Sequence, residues 1–115
     1  MTSDPTCLFC QVVSGQIPAT VVHRDDDVVA FEDIHPQAPM HVLVIPTRHY
    51  DNATDLGAAE PNLAGRMLEV AGSVATSAGL DGHRLVFNTG AAAGQTVFHV
   101  HAHVLGGRPL AWPPG

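Results

Sequence analysis

Only one stretch of this chain has the length and apolar rhythm of a full helix. In residues 60–79 (EPNLAGRMLEVAGSVATSAG), Leu63, Met67, Val70, Val74 and Ala78 recur at three- and four-residue steps and form one apolar stripe. Pro61 stands near the first turn and Gly79 at the end, the positions each favours. A single stripe has to be buried against another layer. The rest of the chain offers short strand-like runs for that purpose.

Those runs are TVVHR (20–24), VVAFED (28–33), MHVLVIP (40–46), HRLVFN (83–88) and FHVHAHVL (98–105). Asp25, Asp26 and Asp27 form a polar turn between the first two, which therefore read as a hairpin. Pro36-Gln-Ala-Pro39 is a rigid connector, and Pro46 ends the third run. CLFCQVVS (7–14), stopped by Gly15, reads as a short N-terminal helix. Strands joined by hairpin-length connections, with the helix between them, predict an α+β fold with a five-stranded antiparallel sheet. No linker or repeat divides the 115 residues, so residues 1–115 read as a single domain.

The charge balance narrows the function. The chain has five arginines, no lysine and a net charge of −6. Nonspecific nucleic-acid binding needs a basic face and is not expected, although one local site could still take a small phosphorylated ligand. No run approaches the ~20 apolar residues of a membrane span. The start MTSDPTCLFCQVV lacks a basic, apolar leader, so a cytoplasmic location is the expectation.

FHVHAHVL places three of the eight histidines at strict alternation. Phe98, Val100, Ala102 and Val104 should face the helix, while His99, His101 and His103 point to the opposite, more open face. Backbone separations of ~7 Å keep all three rings from meeting on one ion easily, though one of them could join ligands from elsewhere. A catalytic reading needs less convergence. A neutral imidazole can attack phosphorus, while its neighbours orient it or donate to phosphate oxygens. The small residues of GAAAGQT (90–96) would let backbone N–H groups approach those oxygens. A wet strand face tolerating histidine is the plain alternative.

Cys7-Leu-Phe-Cys10 poses a separate question. Taken alone it fits a redox pair, half a zinc site or two small buried thiols. A thioredoxin-like pair would follow a strand in a βαβ unit, and the sequence offers none. His23 and His83 read as solvated strand-edge residues, and the Asp25–Asp27 run as a turn and not a cation loop.

Together these residues resemble the histidine triad superfamily. His99-Val-His-Ala-His-Val-Leu105 fits its alternating histidine signature, and the similarity extends over Phe31-Glu-Asp-Ile34, Pro36-Gln-Ala-Pro39, His41-Val-Leu-Val-Ile-Pro46, Asn88, Gly94-Gln-Thr96 and Trp112-Pro-Pro-Gly115. The ending favours the nucleotide-binding-protein branch over dinucleoside polyphosphate hydrolases. The resemblance implies hydrolysis of a purine nucleoside 5′-phosphoramidate, with a binding module of little catalysis as the alternative. It implies His101 as nucleophile, with His103, His99 and His41 completing the polar cluster. Asp33 and Ile34 would hold ribose and base. Asn88, Gln95 and Thr96 would contact phosphate or the leaving group, Thr96 standing where serine is usual. By the same resemblance a structural zinc would sit on Cys7, Cys10, His49 and His99. The partner would be a second copy, joining two sheets into a ten-stranded one with each C-terminal tail near the other's site. His35 replaces a small polar residue and reads as a surface residue.

Overall fold

The computed structural model describes residues 3–115. Helix α1 (Leu8–Ser14) is followed by strands β1 (Val21–Arg24), β2 (Val28–Glu32) and β3 (Met40–Pro46). Helices α2 (Ala53–Ala59) and α3 (Pro61–Ser77) come next, then β4 (His83–Val86), a 3-10 turn (Ala91–Ala93) and β5 (Ala102–Gly106). The sheet is antiparallel throughout, in the order β1-β2-β3-β5-β4. The expected α+β architecture is therefore present.

Local chemistry explains the ends of these elements. The Asp25 carboxylate accepts N–H bonds from Asp27 (2.8 Å) and Val28 (2.9 Å), closing the β1–β2 hairpin. Gly15, at φ 82°, gives α1 the left-handed stop that a side chain would resist. The sequence reading did not assign α2. Its signal is slight: an Asn52 side chain capping Asp55 N–H, and Leu56 as its one buried residue.

β3 is the centre of the domain, and its period of two splits it cleanly. Val42 and Val44 pack with Val28, Ala30, Val100, Ala102 and Val104 beneath Leu63, Met67, Val70, Ala71 and Ala75 of α3. Leu43 and Ile45 pack on the other face with Val29, Phe31 and the α1 residues Phe9 and Val12. Apolar cover on both faces is why β3 reads as an unbroken hydrophobic run. The stripe on α3 drifts from the expected one: Ala71 and Ala75 are buried, Val74 is partly buried, and Ala78 is exposed. Small residues on that line let the helix lie close to the sheet.

Three expectations about the histidine strand need correction. β5 starts at Ala102 and not at residue 98, because the Val100 N–H bonds to Tyr50 C=O (2.7 Å), outside the ladder. Phe98 is 47% exposed and does not join the helix-side core. The histidine face is also not open. His99 is fully buried and His101 is 8% exposed, because α1 lies across that face. No described helix is long and apolar enough to cross a membrane.

Candidate active site and metal centre

Register brings the polar residues together. Phe31 pairs with Leu43, Leu43 with His103, and His41 with Leu105, so Phe31, Leu43, His41 and His103 share the α1-covered face. Asp33, just past β2, donates its N–H to His41 C=O (3.0 Å) and joins the same face. The result is a groove of about 350 Å³, within the usual range for a small-ligand site. Phe9 and Val12 of α1 form one wall, Asp33 and Ile34 another, and His101 and His103 lie in it.

The hydrogen bonds fix the tautomers in sequence. The Gln37 N–H donates to His41 Nδ1 (3.0 Å), which leaves His41 Nε2–H to donate to His103 Nδ1 (2.9 Å). His103 Nε2 then carries the proton and is free to donate. His101 Nδ1–H donates to the His99 carbonyl (2.8 Å), which leaves Nε2 as the ring's free lone pair. The His101 and His103 ring centres are 5.0 Å apart. Burial pushes the His101 pKa down and takes His103 to about 4, helped there by the nearby His101 and His41 rings. Burial likewise lowers His41, against the pull of Asp33. Near neutral pH the cluster is therefore uncharged, and the His101 lone pair is available for attack.

The second cluster gathers around His99, two residues before His101. His99 Nε2–H donates to Pro46 C=O (2.9 Å), so its Nδ1 lone pair points the other way. That atom lies 3.4 Å from Cys7 Sγ, 3.5 Å from Cys10 Sγ and 3.2 Å from His49 Nδ1. Cys10 Sγ is 3.5 Å from His49 Nδ1. A tetrahedron with Zn–S bonds of ~2.3 Å and Zn–N bonds of ~2.0–2.1 Å has edges of about 3.3–3.8 Å. The donors stand near those edges, with both imidazole lone pairs turned inward. His49 Nε2 lies 3.1 Å from Asp51 Oδ1, the outer carboxylate that commonly orients a ligating histidine. Burial pushes the Cys10 thiol up, an obstacle that a bound cation removes. The residues fit zinc.

The remaining expected site residues divide. Asp33 lines the groove, and its Oδ1 accepts the His35 N–H (2.7 Å). Ile34 stands at the mouth, 87% exposed. Thr96 and the rim residue His35 also line the groove. Gln95 and Asn88 do not. The Gln95 side chain accepts Gly90 N–H (2.8 Å) and donates to the carbonyls of Asp51 (2.6 Å) and Val97 (3.1 Å), tying the 90–97 loop down. Asn88 flanks Gly94, whose φ of 91° suits glycine alone. His99 anchors on β3 through its second ring nitrogen, and its backbone carbonyl is what holds His101. His23 bonds Asp25 (2.7 Å), away from both clusters.

Sequence reasoning missed Phe9 and Asp51. Phe9 meets the His101 ring edge-on at 5.1 Å and 86°. Its place between the two cysteines was the available signal.

An antiparallel five-stranded sheet with alternating histidines leading into β5, beside its central strand, is the arrangement of the histidine triad class, and comparison agrees. Residues 14–110 match the family model for the HIT domain, and the chain belongs to that family. It is 46% identical to a 14 kDa zinc-binding protein of Zea mays, over 97% of this chain and 90% of that one. It is 44% identical to a purine nucleoside phosphoramidase of Escherichia coli (strain K12), over 90% of this chain and 88% of that one. The crystal structure of a HIT family hydrolase from Legionella pneumophila Philadelphia 1 superposes with a TM-score of 0.92 at 46% identity, covering 96% of this chain and all of that one.

Proposed function

We propose that the chain is a single-domain hydrolase of purine nucleoside 5′-phosphoramidates with His101 as its nucleophile. The supporting observation is the His101 ring itself: buried, neutral, and locked by the His99 carbonyl so that Nε2 carries the free lone pair. Nε2 attacks the α-phosphorus, the P–N bond breaks, and the nitrogen leaves with a proton as ammonia or an amine. Water then attacks phosphorus, the N–P bond to His101 breaks, and a nucleoside monophosphate is released.

His103 Nε2–H donates to a phosphate oxygen as negative charge gathers there. His41 holds the His103 tautomer, and Asp33 takes the ribose hydroxyls. Ile34 packs on the base against the apolar wall. Thr96 offers its hydroxyl to the phosphate or leaving group, on a loop that Gln95 secures and Asn88 flanks.

Zinc on Cys7, Cys10, His49 and His99 is structural in this reading, because four protein ligands leave no open position. It would brace the segment whose carbonyl orients the nucleophile. A homodimer with a ten-stranded sheet and a cytoplasmic setting that keeps the thiols reduced belong to the same reading. β4 is an unpaired sheet edge, available to a second copy.

The test is turnover of adenosine 5′-phosphoramidate by wild type and by His101→Ala. Loss of the nucleophile should lower kcat by at least about 10³-fold. Equal rates would remove the mechanism. Tight nucleotide binding without turnover in wild type would favour a binding module.

A further inference from the structure

Helix α1 belongs to both clusters at once. Its Phe9 and Val12 wall the groove, while Cys10 and the adjoining Cys7 face His49 and His99. Phe9, between the cysteines in sequence, lies edge-on to His101 (5.1 Å) and to His99 (6.1 Å). Where the thiolates go, this wall goes.

The two sulfurs are also unequally placed. Cys10 is buried, whereas Cys7 is half-buried and opens on a second groove of about 490 Å³ with Asp4, Thr6, His49 and Thr96. Their donor atoms lie within 4.8 Å of each other, and the Cys10 N–H donates to Cys7 Sγ (3.4 Å). A disulfide needs the sulfurs at about 2.05 Å, within reach of side-chain rotation for adjacent thiols.

We propose that Cys7 and Cys10 are an oxidative modification site, at which a peroxide converts the ligand pair to a disulfide and unlatches α1 from the sheet. The proposal rests on the zinc reading above. The Cys7 thiolate attacks one peroxide oxygen; the O–O bond breaks, hydroxide leaves, and a sulfenic acid forms. The Cys10 thiolate then attacks that sulfur, the S–O bond breaks, and the S–S bond forms with loss of a second hydroxide. Two electrons pass from the sulfurs to the peroxide, and two protons convert the hydroxides to water.

His49 and His99 remain on the sheet side without their sulfur partners, and two neutral imidazoles do not close a tetrahedral site. α1 then keeps the packing of Phe9, Val12 and Val13 and the Arg24 bond to the Val13 carbonyl (3.1 Å), without its tie to His49 and His99. Nucleotide affinity falls because a wall of the groove has loosened, while the His101–His99 carbonyl bond survives.

The experiment titrates the zinc-loaded full chain with hydrogen peroxide. It follows zinc release with a colorimetric chelator, intact mass, and hydrogen exchange of residues 8–14. The expected result is a mass loss of two hydrogens, one zinc released per chain, and exchange in 8–14 faster by about 10-fold or more. A dithiol reductant with added zinc should reverse all three. Cys7→Ser, which lacks one ligand and cannot form the bond, should start with fast exchange in 8–14 and show no further peroxide-induced change. Sulfinic acid without a disulfide would overturn the proposal, as would a disulfide that leaves 8–14 protected. Protein that carries no zinc after metal-replete expression would overturn the zinc reading and this proposal together. Zinc-bearing protein that forms no disulfide would overturn this proposal alone.

Discussion

Replacing Gln95 with alanine separates two roles for that residue, ligand contact and loop support. The side chain is 3% exposed and makes three hydrogen bonds, to Gly90 N–H and to the carbonyls of Asp51 and Val97. Each such bond contributes about 0.5–1.5 kcal/mol net. Asp51 is an exposed residue whose carbonyl can be rehydrated, which discounts that share. The expected loss is about 2–3 kcal/mol. With a urea m-value of about 1–3 kcal/mol/M, the midpoint falls by roughly 0.7–3 M at unchanged slope. Gln95→Glu is expected to be no better, since it keeps the acceptor for Gly90 but sets a carboxylate against two carbonyls. Turnover in Gln95→Ala should fall only modestly, because the loop carrying Thr96 loosens while His101 keeps its carbonyl partner. Stability unchanged within ~0.5 kcal/mol, with turnover down 100-fold or more, would refute the loop-support argument and place the amide on the substrate.

Other consequences are equally direct. Metal analysis after metal-replete expression should find close to one zinc per chain, and His49→Ala should lose it together with amide protection in α1. The folded pKa of His103 is about 4, below the ~6.5 of an unfolded chain. The unfolded state therefore binds more protons between these values, so stability is full above pH ~6.5 and declines toward pH 4. Urea midpoints across that range would check the sign, and a midpoint rising on acidification would contradict it. Met67→Ala, at a fully buried position under the sheet, should cost about 2–5 kcal/mol. Gly107→Ala should destabilise by about 1–3 kcal/mol, since its φ is 90° and a β carbon would stand 2.9 Å from Pro39 Cβ.

Apolar runs and turn residues located β1 to β4 and α3 to within about two residues, whereas β5 begins at Ala102 and not at residue 98. Alternation also sorted Val100, Ala102 and Val104 from the three histidines correctly. It could not say what covers the histidine face. That depends on α1, which is joined to His99 by contacts 89 and 92 residues apart in sequence. The orienting bonds were hidden for another reason, since most of them involve backbone atoms: Gln37 N–H, the His99 carbonyl and the Pro46 carbonyl. Backbone groups carry no residue identity, so no motif announces them. The set Cys7, Cys10, His49 and His99 came from family resemblance; geometry then brought the four donors together. Asn88 and Gln95 illustrate the reverse case, since neither side chain lines the groove that resemblance associated with it.

The central claim is that His101 carries the nucleotide through its Nε2. The direct measurement is acid-free rapid quench of enzyme mixed with excess adenosine 5′-phosphoramidate, followed by intact mass and peptide mapping. The account predicts an adenylyl adduct that forms and decays at rates consistent with turnover and maps to His101. An adduct on His103 or His41, or steady turnover by His101→Ala, would contradict it.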